Sequence, residues 1–223
     1  MTDTTPVVQE EGRIVQNPTG AAYGSFNHAF DVFNRELFGG KLSDCLITLQ
    51  RRGSYFGCYA AERFGDRHGG ETKLAEIALN PAMMQGRSDR EIASTLAHEM
   101  SHHAQKEYGS PSRNGYHNRE FARIMERIGL MTSHTGLPGG RRTGQRMTHY
   151  IIEGGPFDLV WQKLAAEGFH FDYHDRLFDR RETAKKNKAT YQCDVCQLAL
   201  WGKPGITDLP THCGRLMVEK KDD

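Results

Sequence analysis

The sequence predicts an α+β fold: one domain of ordinary size followed by a small C-terminal module held by metal. Three observations carry that class. Apolar residues recur at helical spacing over residues 20–38, three short β-prone runs separated by glycine-rich turns follow between residues 46 and 79, and cysteines at metal-ligand spacing lie near the C-terminus. A chain of 223 residues has the length for one such core plus a module too small to fold on burial alone.

Taken in order, residues 1–18 are polar and aperiodic and read as a disordered tail. Phe26, Ala29, Phe30, Phe33 and Leu37 then mark a core helix over residues 20–38, which Gly39-Gly40 stops. Runs at 46–50, 55–61 and 75–79 read as short strands of one small sheet, with Cys45 and Cys58 as core or strand residues. Ser88-Asp89-Arg90-Glu91 is a capping box, so the next helix starts near Asp89. Ile92, Leu96 and Met100 follow as an apolar stripe, and Gly109 with Pro111 ends the helix. One face of it should pack and the other should look onto a cleft.

That second face carries His98-Glu99-Met100-Ser101-His102. Imidazoles at i and i+4 project from one side of a helix and can close on one ion, while the intervening carboxylate sits about 100° round the axis. This is the constellation of a zinc peptidase: His98 and His102 as ligands, and Glu99 as the general base toward a metal-held water. Two imidazoles do not complete a catalytic site, so a third ligand must come from elsewhere. A metzincin would place Gly and His at three and six residues beyond His102, where this chain has Gln105 and Tyr108, and that subtype is excluded. The third ligand expected is His117, at the start of a further helix marked by Phe121, Ile124, Met125 and Ile128; Glu120, one turn on, is the alternative if the site were of the two-His-one-Glu kind. His103 points about 100° away from His102 and reads as a supporting or surface residue. Tyr116 is a candidate donor to the oxyanion.

The blocks Phe26-Asn27-His28-Ala29-Phe30-Asp31-Val32-Phe33-Asn34 with Leu37-Phe38-Gly39-Gly40, Glu76-Ile77-Ala78-Leu79-Asn80-Pro81, Thr95-Leu96-Ala97-His98-Glu99-Met100-Ser101-His102 and His117-Asn118-Arg119-Glu120-Phe121 together resemble the SprT-like metallopeptidase family, which includes the Spartan proteases. The likeness runs from about residue 20 to 130 and continues into the C-terminal cysteines. It implies a zincin-like metallopeptidase domain over residues 19–131, three histidine ligands to zinc, a catalytic Glu99, and proteolysis of proteins crosslinked to DNA. By analogy with zincins at large, the strand at 76–79 would be the edge that pairs with an extended substrate.

Residues 132–190 read as a linker or accessory region. It holds a Gly-, Thr-, Arg- and His-rich stretch at 132–148, then a short helix at 156–168 with Phe157, Val160, Trp161 and Leu164 on one face. A basic stretch follows over 176–188, in which Arg176, Arg180, Arg181, Lys185, Lys186 and Lys188 are candidate contacts to DNA phosphates. Residues 191–218 resemble a zinc ribbon: Cys193 and Cys196 form one knuckle and Cys213 belongs to a second. A regular second knuckle would put Cys at 210, where this chain has Pro210. Either His212 is the fourth ligand despite its adjacency to Cys213, or the site is incomplete. Tyr191 and Trp201 are candidates for stacking on bases, with Trp201 also a candidate for the module's core.

A net charge of +1 provides no global field to recruit nucleic acid, so any contact to single-stranded DNA must be local. Five cysteines argue for buried thiols plus a metal site rather than disulfides, and neither a leader nor an apolar span is recognised. A cytoplasmic protein is expected. Two functions fit: a zinc endopeptidase acting on DNA-associated proteins, or a DNA-associated regulatory scaffold with little turnover. Glu99 favours the first, since holding a metal needs no carboxylate there.

Overall fold

The computed structural model describes residues 17–51, 53–113, 115–176 and 189–220. They divide between Asp175 and Arg176 into two compact units. The first is a mixed α+β unit. Its first helix, α1 (Pro18–Phe38), starts inside the stretch expected to be tail, because Asn17 caps it by accepting from Gly20 N at 2.8 Å and Pro18 fits the first turn. Gly39 ends it in the left-handed conformation, φ 68°. Phe26, Phe30 and Phe33 face the core.

The sheet comprises β1 (Cys45–Leu49), β2 (Gly57–Gly65) and β3 (Lys73–Leu79) in the order β1-β3-β2. The last strand in sequence is therefore the central one, parallel to β1 and antiparallel to β2. This corrects the expectation that residues 76–79 form a substrate edge: both sides of β3 are already paired. The outer strands are β1 and β2, and it is the Gly57 end of β2 that lies against the motif helix.

That helix, α2 (Asp89–Tyr108), has the capping box in both directions, with Ser88 Oγ accepting from Glu91 N and Glu91 Oε2 accepting from Ser88 N at 2.8 Å. It is buried nearly all round, from Ile92 to Ser101 and again from His103 to Gln105. The expected polar face is thus no open surface. Elements on every side cover α2: α1, β2, β3, a third helix α3 (Arg119–Arg127) and a fourth, α4 (Pro156–Ala166).

The first unit also runs past the boundary expected at residue 131. Between α3 and α4, the segment read as a linker supplies β5 (Leu130–Ser133), β6 (Gly144–Gln145) and β7 (Thr148–Ile151). β5 pairs with β7, and β6 pairs with β4 (Tyr116–His117). Strands of two to four residues are too short to show a period of two, and their composition is that of turns. The helix α4 buries Phe157, Val160, Trp161 and Leu164 in the main core, where Phe157 lies 5.5 Å from Phe33 between ring centroids. Phe171, beyond α4, stacks on Phe26 at 4.6 Å.

The second unit contains a three-stranded antiparallel sheet, β8 (Ala189–Gln192), β9 (Ala199–Gly202) and β12 (Val218–Glu219) in the order β12-β8-β9, and a hairpin of β10 (Thr211–His212) and β11 (Arg215–Leu216). Among its described residues the buried core is Tyr191, Cys193 and Met217 with Ala189 and Leu209 packed against them, far too little apolar surface for independent stability. Arg180, Arg181, Lys185, Lys186 and Lys188 lie outside the described residues. Among the described residues no helix is long and apolar enough to cross a membrane.

Candidate metal centre and active site

The structure brings His98 and His102 of α2 together with His117 of β4. His98 Nε2 is 3.2 Å and His102 Nε2 3.1 Å from His117 Nε2, and one nitrogen from each ring lies within 4.8 Å of the others. Gly115, at φ 73°, and the two-residue pairing of β4 with β6 set His117 in place, and its Nδ1–H donates to the Gly144 carbonyl at 3.3 Å. That bond fixes the tautomer, leaving the Nε2 lone pair aimed at the other two rings. Phe121, fully buried in α3, packs against all three imidazoles, at 5.1, 4.8 and 4.1 Å from His98, His117 and His102.

Burial, reinforced by the neighbouring imidazoles, drives His98 well below the ordinary imidazole range and His102 down to about 3, and burial lowers His117 as well. The cluster is therefore neutral. Three neutral rings with converging lone pairs repel one another unless a cation lies between them, and an N₃ donor set suits zinc with a position left for a further ligand. The residues present fit a zinc ion.

Glu99 is 6% exposed, and burial pushes its carboxyl up to about 8. Gly57 of β2 makes its position possible. A Cβ at residue 57 would fall 2.8 Å from Glu99 Oε1 and 2.9 Å from its Cγ, closer than side-chain carbons approach anything. The bare backbone of β2 thus forms one wall of the carboxylate's site.

The other sequence candidates lie elsewhere. Glu120 accepts from Gln105 Nε2 at 2.6 Å and from Ser110 N at 2.8 Å, which ties the α2–α3 connection together and holds its carboxylate away from the imidazoles. His103 is buried rather than on the surface, bonded to the Ser43 carbonyl at 3.0 Å and the Tyr59 hydroxyl at 3.3 Å. Tyr116 precedes His117 in a strand, where successive side chains take opposite faces. It lines a cleft with Arg113, Arg141, Arg142 and Gly144.

Sequence reasoning missed His149, Gly57 and the packing role of Phe121. His149, in β7, places Nδ1 3.1 Å from His98 Nδ1 and Nε2 2.9 Å from Ser94 Oγ. No spacing rule reaches it, since it comes 51 residues after His98 and from a segment read as linker. Gly57 had a signal only in being a glycine inside a strand, which marks close backbone approach.

In the second unit, ligating atoms of Cys193, Cys196, His212 and Cys213 also lie within 4.8 Å of one another. Adjacency of His212 and Cys213 is no obstacle, because Cys213 takes φ 51° and the following Gly214 φ 75°, turning both side chains to one centre. His212 Nδ1 is 3.3 Å from both Cys196 Sγ and Cys213 Sγ. Backbone donation from Cys196, then the His212 side chain, lowers the Cys193 thiol to about 6. Tyr191 is core, 2% exposed, with its hydroxyl donating to the Lys203 carbonyl, which removes it as a stacking residue. Trp201, by contrast, is 74% exposed and is no core residue.

Comparison with known proteins agrees with this arrangement. An uncharacterized protein in the mucB 3' region of Salmonella typhimurium is 41% identical to this chain over 58 residues, 26% of this chain and 78% of that protein. A model of the SprT-like family matches residues 26–143, from α1 to the threshold of β6. Because that match takes in the sheet, Glu99 and all three clustered imidazoles and covers just over half of the sequence, the chain belongs to the SprT-like family.

Proposed function

We propose that the first unit is a zinc-dependent endopeptidase and that its substrates are proteins associated with or crosslinked to DNA. The observation that carries this reading is the convergence of three neutral imidazoles one residue from a buried carboxylate whose position a glycine keeps open. His98, His102 and His117 would hold the ion. A zinc ion there supplies Lewis acidity toward a peptide carbonyl and toward water. Glu99 takes the proton of the attacking water and returns it to the leaving amine. The outer strand β2, whose Gly57 abuts Glu99, offers main-chain groups along which an extended substrate would align. A scaffold without turnover leaves Glu99 buried at a cost and unused.

The second unit is the recruiting part of this reading. A structural zinc on Cys193, Cys196, His212 and Cys213 would substitute for its missing core. Exposed Trp201 would stack on a base of single-stranded DNA, and the basic stretch from Arg180 to Lys188 would contact phosphates. Removing metal with a chelator tests the enzymatic claim. Cleavage of casein should disappear and return on adding zinc; cleavage that persists in the chelated protein would rule out the metal-dependent mechanism.

A further inference from the structure

Histidine ligands that must present one nitrogen to a metal need the other nitrogen occupied. For His117 the Gly144 carbonyl does this. At His98 Nδ1 the partner among the described residues is a second imidazole, His149, rather than a carbonyl or carboxylate.

The hydrogen positions along this line follow from its far end. Ser94 Oγ donates to the Glu91 carbonyl at 2.8 Å, an acceptor only, so its hydrogen is committed. Ser94 Oγ must then accept from His149 Nε2 at 2.9 Å, which places the proton of the neutral His149 ring on Nε2. His149 Nδ1 is left as a lone pair, and it can only accept from His98 Nδ1–H at 3.1 Å. With Nδ1 protonated, His98 directs the lone pair of Nε2 toward His102 and His117. The two rings lie 5.1 Å apart between centroids with 29° between their planes.

We propose that His149 is a positioning residue for the metal centre, and that the chain Glu91 carbonyl, Ser94, His149, His98 sets the tautomer and orientation in which His98 binds zinc. The chain begins and ends on α2 and passes through β7, so the same helix supplies the ligand and the anchor of its support. An imidazole at this place supplies direction without adding the negative charge a carboxylate would bring. This rests on the reading of His98, His102 and His117 as a metal site.

Cadmium-113 NMR of the full chain during chelator competition is a suitable test, because nitrogen-ligated and thiolate-ligated ions resonate far apart and the two sites are read separately. His149→Leu should weaken binding at the histidine site by roughly 10–100-fold, the usual scale for losing such a partner, and leave the cysteine site unchanged. His149→Asn, which can accept from His98 and donate to Ser94, should recover most of the loss. Wild-type affinity in His149→Leu, or an Asn variant as weak as the Leu variant, overturns the inference. If His149→Leu does not fold, Ser94→Ala decides: a weakened histidine site with a shifted resonance supports the chain, and unchanged affinity and resonance refute it. A wild-type protein with no nitrogen-ligated cadmium would overturn the metal-site reading and this inference together, whereas an unaffected His149 variant of a metal-binding wild type overturns this inference alone.

Discussion

Glu99 owes its place to what is absent at residue 57. The carboxylate lies against the Cα of Gly57, and a methyl group there would sit 2.8 Å from Oε1 and 3.1 Å from Thr95 Cγ2. Gly57→Ala should therefore displace Glu99 while sparing the three imidazoles: cleavage should drop about 10–100-fold with zinc content unchanged, the scale expected when a catalytic group moves by about 1 Å. Burial of Glu99 also has a pH signature in the metal-free protein. Its pKa is raised from 4.5 to about 8, so the folded chain keeps a proton that the unfolded chain has released, and stability falls as pH climbs through that window. The buried imidazoles act with the opposite sign, since their lowered pKa values make stability fall as pH drops below 6.5. Comparing wild type with Glu99→Gln isolates the carboxyl. In urea denaturation of chelated protein, the Gln variant should gain on wild type between pH 5 and pH 8 by up to about 1.4 kcal/mol per pH unit; a constant difference would mean that Glu99 ionises freely.

At the scale of elements, α2 was legible from end to end because its signals are local. The capping box, the apolar stripe and the terminal glycine all act within a few residues, and the motif fixes its two histidines on one face. His117 is legible as the third ligand from its place at the start of α3, but the pairing of β4 with β6 that positions it is a contact of the kind no local pattern encodes. The same is true of the sheet order. Three strands were readable, whereas the placement of β3 at the centre depends on a long-range pairing with β1 that reversed the assignment of the edge. His149 went unseen because β7 is four residues long and half-buried throughout. The helix α4 is amphipathic by its sequence, and its packing against α1 shows what its apolar face covers. Phe157→Ala, which removes a fully buried ring facing Phe33, should cost about 3–5 kcal/mol in a denaturant titration. A loss below about 1 kcal/mol would show that α4 is not part of the folding core.

At the scale of the whole molecule, the proposed function assigns chemistry and recruitment to different units. The first unit contains the histidine cluster, Glu99 and the large core, and the second combines a metal-sized thiolate cluster with an exposed Trp201. Since the net charge is only +1, the proposed nucleic-acid binding would have to depend on local cations. Truncation after Asp175 should leave a cooperatively folded first unit and weaken binding to single-stranded DNA. About four phosphate contacts would give the full chain a log–log salt slope of roughly −3; the same affinity and slope in the truncated protein would move those contacts into the first unit. That the imidazole cluster and Glu99 form a hydrolytic centre is tested most directly by comparing wild type with Glu99→Gln at matched zinc content on a casein substrate. The two side chains are nearly isosteric, so fold and metal should be retained while cleavage falls by about 100-fold or more, the lower range for a lost general base. Equal cleavage by the two proteins would contradict the account.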